Sequence, residues 1–215
     1  LCYHEHIDKN YLCSDCGMQF ALAVQIGNTE TLFDTFEDAI RYAGEHDGCI
    51  VKLLQDITLD NKTAGSLMDG DHICLINGEY TLDLAGKALN IGRNDLDVDD
   101  NCDLTIADSV GGGKVTNGGM GNVRVGANDN KNAKLTVTGG DFTARVISYT
   151  SSALVLKGGS FGYVISAQDA RCSPFVYLSD GYTFAFKDPT GGNSYANEGN
   201  VNIDYSEQNV KDVTV

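Results

Sequence analysis

Hydrophobic and polar positions alternate along much of this chain, and between residues 135 and 166 the alternation repeats itself. Leu-Thr-Val-Thr-Gly-Gly-Asp-Phe (Leu135 to Phe142) is followed 19 residues later by Leu-Val-Leu-Lys-Gly-Gly-Ser-Phe (Leu154 to Phe161). A second echo trails each copy, Val146-Ile147-Ser148 and Val164-Ile165-Ser166. Apolar side chains at every second position turn one face of a short strand inward. The glycine pair allows a sharp corner where a Cβ would clash. Phe142 and Phe161 then occupy equivalent places and can stack. Strand, corner, aromatic and strand at a period of about 20 residues predict units that bury a continuous core only when stacked. The same grammar appears in Leu82-Asp-Leu84-Ala-Gly86-Lys-Ala-Leu89, with Leu89 in the place of the phenylalanine. It appears again in Leu104-Thr-Ile106, whose corner swells to Gly111-Gly112-Gly113, and in Val176-Tyr-Leu178 with Gly181. The starts at 82, 104, 135, 154 and 176 lie 22, 31, 19 and 22 residues apart, an irregularity that insertions at corners absorb.

The period changes once. Phe36, Ala39, Ile40 and Ala43 follow helical spacing and predict a helix over about 34–46. Thr35 with Asp38, or Asp34 with Glu37, supplies its N-terminal cap, and Asp47-Gly48 ends it. Residues 22–30 read as a strand ending in a turn, and Cys49-Ile-Val-Lys-Leu-Leu resumes β structure. A lone amphipathic helix ahead of stacked strands is placed to cover the open apolar end of the first unit. From 186 to 200 the composition turns to loop, and strand-like runs return at about 201–215 (Val201 to Ile203, Val210 to Val215) as closing strands.

Phe36 to Leu59, followed by Tyr80-Thr-Leu-Asp-Leu-Ala-Gly-Lys-Ala-Leu, resembles the right-handed parallel β-helix domains of large secreted surface proteins of anaerobic Gram-positive bacteria. Those domains are pectate-lyase-like in fold and adhesin-like in role. The resemblance covers nearly the whole chain and rests on repeat grammar, not on a functional motif. It implies an all-β fold, a right-handed parallel β-helix solenoid with coils over about 49–185 and an N-terminal capping helix, and a secreted or cell-surface location. The right hand comes from the resemblance alone.

The first 20 residues stand apart from this domain at 21–215. They hold Cys2-x-His4 and Cys13-x-x-Cys16-Gly17. Two close ligand pairs joined by a short loop suit tetrahedral zinc, and a 20-residue segment without a core needs such a staple. His6 can replace His4, since one residue separates them. The alternatives are a flexible tail or a Cys13–Cys16 redox pair. Four protein ligands make a closed, structural site. Similar segments occur as small linker modules in the surface proteins that the chain resembles.

Composition trims the remaining choices. Gly is abundant at 25, Pro scarce at 2 and Trp absent, in keeping with an all-β protein. A net charge of −15 disfavours nucleic acid and anionic membranes as partners. No run reaches the roughly 18 apolar residues of a membrane span. The chain starts at Leu1 without an initiator Met or signal peptide and reads as a monomeric piece of a larger protein. Cys49, Cys74, Cys102 and Cys172 are expected to be small buried hydrophobes, with a Cys74–Cys102 pair as the alternative.

Three groups of residues carry candidate chemistry. Asp95, Asp97 and Asp99 sit in the densest acidic stretch and invite calcium. EF-hand spacing from Asp95 puts Asp100 and Ile106 where Gly and Glu belong, so the alternative is a solvated corner. Aligning Arg124-Val125, Arg145-Val146 and Tyr163-Val164 places Arg124, Arg145 and Tyr163 in one outward column, suited to a carboxylated or sulfated glycan of a host or bacterial surface, or to a protein. That register also turns Ile147 and Ile165 outward. A polysaccharide lyase or hydrolase is the minority reading. It needs clustered carboxylates near a base, and His46 and His72 read as solvated. The expectation is a non-enzymatic surface module, an adhesin-like binder or else a spacer.

Overall fold

The computed structural model describes residues 2–127, 132–149 and 153–161 in full. Beyond 161 it describes only the backbone of the strands named below. In chain order these are β1 (Leu22–Ile26), β2 (Thr29–Phe33), α1 (Phe36–Gly44), β3 (Cys49–Leu53), β4 (Ile57–Thr58), β5 (Met68–Asp69), β6 (His72–Ile76), β7 (Glu79–Asp83), β8 (Ala88–Asn90), β9 (Asp95–Asp99), β10 (Asp103–Ala107) and β11 (Lys114–Thr116). They continue as β12 (Asn122–Val125), β13 (Lys134–Val137), β14 (Asp141–Ser148), β15 (Ala153–Leu156), β16 (Ser160–Ser166), β17 (Phe175–Leu178), β18 (Phe184–Lys187), β19 (Asn193–Ala196), β20 (Gly199–Asn200) and β21 (Lys211–Thr214). The fold is all-β with one α-helix among the described residues.

Two mixed sheets carry it. In the first, β3, β7, β10, β13, β15 and β17 pair in parallel, with antiparallel β1 and β2 at one edge and antiparallel β20 at the other. In the second, β6, β9, β12, β14 and β16 run parallel between antiparallel β5 and β21. The repeated sentence falls into register: Leu135 pairs with Leu154, Val137 with Leu156 and Phe142 with Phe161. The two rings are buried and stacked, with centroids 5.0 Å apart. Leu89 and Phe142 both pair with Val115, so the leucine does take the aromatic's place. Gly140 and Gly159 have φ of +101° and +102° at the corners. A Cβ on Gly140 would stand 2.8 Å from Leu84 Cδ1, so both the turn and the packing require glycine.

Tyr80 pairs with Leu104 and Leu82 with Ile106, so that repeat begins two residues earlier than its leucines suggest. The buried Tyr80 ring serves as the missing apolar position. Thr35 caps α1, accepting from the Asp38 amide at 3.1 Å and donating to the Asp38 carboxylate at 2.7 Å. Phe36, Ala39, Ile40 and Ala43 are all buried against the strands, as the spacing predicts. Cys49 and Cys102 are buried hydrophobes, whereas Cys74 sits half-buried on an outer face; Cys74 and Cys102 are both free thiols. β19 falls inside the predicted loop over 186–200. Residues 201–210 and Cys172 lie outside the described residues.

Candidate metal centre

Residues 2–20 fold back on themselves through isolated bridges, Ile7 to Cys13 and Leu12 to Gln19. The Asp8 carboxylate shapes the outer turn, accepting from the amides of Asn10 at 2.8 Å and Leu12 at 3.0 Å. These amides hold the Asp8 carboxyl below its ordinary value, Leu12 first and then Asn10. The inner turn closes where Gly17 N donates to Cys13 O at 2.8 Å, with Gly17 at φ +73°. The Gly17 amide therefore serves the turn, while the amides of Asp15 and Cys16 reach the Cys13 sulfur.

This folding brings Cys2, His4, Cys13 and Cys16 together, with ligand atoms all within 4.8 Å of one another. Zinc–sulfur and zinc–nitrogen bonds of about 2.3 and about 2.0 Å, at the tetrahedral angle, separate two sulfurs by about 3.8 Å and a sulfur and nitrogen by about 3.5 Å. Cys2 Sγ lies 3.6 Å from Cys13 Sγ. His4 Nδ1 lies 3.5 Å from both Cys2 Sγ and Cys16 Sγ. Three of the six edges thus match those of a zinc tetrahedron. His6 turns away to Asp15, with Nδ1 to Oδ2 at 3.1 Å, so His4 is the histidine of the cluster. Phe20 packs edge-on to the His4 ring at 5.3 Å and ties the cluster to the start of β1.

The protonation states suit a cation. The His4 ring, with the amides of Cys16 and Asp15, draws the Cys13 thiol down to about 6 against the effect of burial. For Cys2, the His4 amide acts downward, but burial and the neighbouring thiols of Cys16 and Cys13 outweigh it and lift the thiol to about 11. Thiols this close cannot all ionise unaided; a dication among them would let them do so.

A second concentration of charge lies on the outer face of the second sheet. Asp97 is 0 % exposed and pairs through its backbone with Cys74 and Arg124. Arg124 grips it, Nε donating to Oδ1 at 2.7 Å and a terminal nitrogen to Oδ2, while Nη1 stands 3.2 Å from Asp95 Oδ2. Burial acts to lower the Arg124 pKa, but the hydrogen bond and charge of Asp97, and then Asp95, raise it. Nη2 of Arg124 also meets His72 Nδ1 at 2.6 Å. Guanidinium can only donate, so His72 Nδ1 accepts and Nε2 carries the proton toward Asp71 Oδ1 at 3.2 Å. Of the calcium candidates, Asp95 and Asp97 thus face the arginine's positive charge. Asp97 and Asp99 also come within 4.8 Å of Cys74, and Asp99 Oδ1 accepts from the Ala127 amide. His72 was expected at a solvated turn and instead opens β6 inside this network.

The outward column needs correction. Val123, not Val125, pairs with Val146, so Asn122 lies beside Arg145 and Arg124 beside Ile147. The corner between β11 and β12, holding Gly118 to Gly121, is longer than the bulge at the same place in β14, and counting through it slips the alignment by two residues. Arg145 is exposed and in register with Tyr163, whose side chain is outside the described residues. Ile147, which the sequence register turns outward, is buried.

No family model, no curated protein and no solved structure matches this chain.

Proposed function

We propose that this chain is a non-enzymatic, extracellular or cell-surface module. In this reading it is a right-handed parallel β-helix, closed at its N-terminal end by a structural zinc knuckle at Cys2, His4, Cys13 and Cys16. One observation carries the reading: four protein donors lie within 4.8 Å of one another, enough to complete a tetrahedral shell and leave no position for a substrate. A zinc so held would fasten residues 2–20 and, through Phe20, the start of β1; its chemistry there is to fix three thiolates and an imidazole. The long parallel ladders, with hairpin strands and α1 at one end, support the solenoid. Right-handed crossovers are the general rule for parallel strands. Free thiols at this density suit an anaerobic surface better than an oxidising one. The ligand class is a host or bacterial glycan or protein; Arg145, exposed and in register with Tyr163, is the residue retained for an acidic glycan, and Arg124 is withdrawn from that role.

Elemental analysis of protein purified in metal-free buffer after zinc loading tests the knuckle. One zinc per chain is expected, lost in Cys13→Ser and His4→Ala and kept in His6→Ala. Zinc that survives His4→Ala but leaves with His6→Ala would overturn the ligand set. Binding to polygalacturonate or heparin that Arg145→Ala leaves unchanged would remove the glycan role. Unsaturated products from acidic polysaccharide with calcium would make the chain a lyase.

A further inference from the structure

Asparagine is a labile residue, and most so when glycine follows it, because no side chain then blocks the approach of the next backbone nitrogen. That nitrogen attacks the side-chain carbonyl carbon. The N–Cγ bond forms, the Cγ–Nδ2 bond breaks, and ammonia leaves with the amide proton. Water then opens the cyclic imide. Attack at Cγ gives aspartate, and attack at the backbone carbonyl gives an isoaspartyl link with a free α-carboxylate. The reaction needs two groups at liberty, the asparagine side chain and the glycine N–H.

The chain holds two Asn-Gly pairs, Asn77-Gly78 and Asn117-Gly118, and the fold treats them oppositely. At the second pair both groups are held. Asn117 Nδ2 donates to Gly121 O at 2.5 Å, and Gly118 N donates to Gly92 O. The first pair forms the corner between β6 and β7, and Asn77 is exposed there. Its own N–H donates to Asp100 O at 3.0 Å. The peptide unit that joins the pair, Asn77 C=O and Gly78 N–H, makes no hydrogen bond among the described residues, and neither does the Asn77 side chain. Nothing therefore ties the Gly78 N–H against rotation toward Cγ.

The corner also requires these two residue types. Asn77 and Gly78 have φ of +61° and +87°. A Cβ on Gly78 would stand 2.9 Å from Gly44 Cα at the end of α1, so packing as well as conformation demands glycine. Asn101 and Asn132 stand at the same place before β10 and β13, with φ of +59° and +70°. There Cys102 and Ala133 follow, and the two side chains bond each other, Asn132 Nδ2 donating to Asn101 Oδ1 at 3.2 Å.

We propose that Asn77 is a site of spontaneous deamidation and isoaspartate formation, selected by the fold over Asn117, and that the isoaspartyl product loosens the seating of α1. The isoaspartyl link adds one atom to the backbone path where Gly78 abuts Gly44. The proposal is independent of the zinc knuckle and of any glycan site.

The test incubates the zinc-loaded full chain at pH 7.5, digests samples at acid pH, where the imide forms slowly, and maps the peptides by mass spectrometry. Asn77 is expected to convert at least tenfold faster than Asn117. In urea-unfolded chain the two rates should come within threefold, since the reacting pair is then the same. Asn77→Gln should abolish conversion at that position and leave Asn117 unchanged. The deamidated fraction, enriched by anion exchange, should show a melting transition below that of Asn77→Asp, which adds the charge without the extra backbone atom. Rates within threefold in the folded chain, or a tenfold gap that persists in urea, would overturn selection by the fold. A deamidated fraction that melts as Asn77→Asp does would overturn the loosening of α1.

Discussion

Replacing Arg124 with methionine should destabilise the protein without altering its outer chemistry. Asp97 is fully buried, and the Arg124 side chain is only 15 % exposed. Removing one partner of such a pair strands the other charge in the interior, at about 3–5 kcal/mol. Asp97 would retain only the His72 ring, Nδ1 at 3.4 Å, as a nearby cation when protonated. The residual exposure places the expectation at about 3 kcal/mol, or a melting temperature about 6–12 °C lower in a chain of this length. Removing both charges, in Arg124→Met with Asp97→Leu, substitutes apolar groups for the pair and should return stability to within about 1 kcal/mol of the parent. The assay is urea unfolding of zinc-saturated protein at pH 7.5, with m-values compared so that only midpoint changes are read as stability. The reasoning fails if Arg124→Met loses less than about 1 kcal/mol, or if the double variant is as unstable as the sum of the singles.

Phe142→Ala should lose about 3–5 kcal/mol, because a fully buried ring and its stack on Phe161 are removed together; the same urea titration reads it, and a loss below about 1.5 kcal/mol would mean that the stack is not core. Acid should weaken the fold in a defined window. The Glu37 carboxyl is held below its ordinary value, first by the Ser66 hydroxyl and then by its amide and Arg41, and Asp60 likewise by the amides of Thr63 and Lys62. Folded values that are depressed stabilise above the unfolded carboxyl range of about 4 and are lost as pH falls through them. Melting of Cys13→Ser, chosen to remove zinc loss from the reading, should be flat from pH 7 to 5 and fall below about 4, less steeply in Glu37→Gln; an unchanged acid slope in that variant would discount the Ser66 clamp.

Local pattern was legible wherever one residue type does one job. The alternation at Leu135 and Leu154, the helical spacing from Phe36 to Ala43 and the Thr35 cap all appear in the structure at those residues. The Cys/His cluster was legible because chelating side chains close in sequence have few other uses; choosing His4 over His6 needed the turn geometry that sends His6 to Asp15. What could not be read was registration across strands. Arg124 and Asp97 are 27 residues apart, and a swollen glycine corner at Gly118 to Gly121 decides which residue each outward side chain meets. The alternating Asp95, Asp97 and Asp99 were the available signal: a strand with carboxylates on one face must find donors or a cation on its neighbour. Looking for that donor one repeat later would have led to Arg124.

The acidity of the chain acquires a different meaning once its carboxylates are located. Asp47 accepts from the Glu79 amide, Asp56 from Ala88, Asp95 from Asn122 and Asp99 from Ala127. Asp83 takes the amides of Ala85 and Ser109, and Asp108 those of Gly86, Gly111 and Gly113. Corners between strands leave amides that no ladder satisfies, and at each of these positions an aspartate reaches across to one of them. Many of these bonds join residues more than 20 positions apart, so they hold adjacent repeats together as well as closing turns. A side chain committed to a neighbouring amide is poorly placed to bind calcium or to act as a base, because leaving its post exposes an unpaired donor. These six aspartates are therefore architectural. The exposed Arg145 stands outside this scheme and is free for recognition.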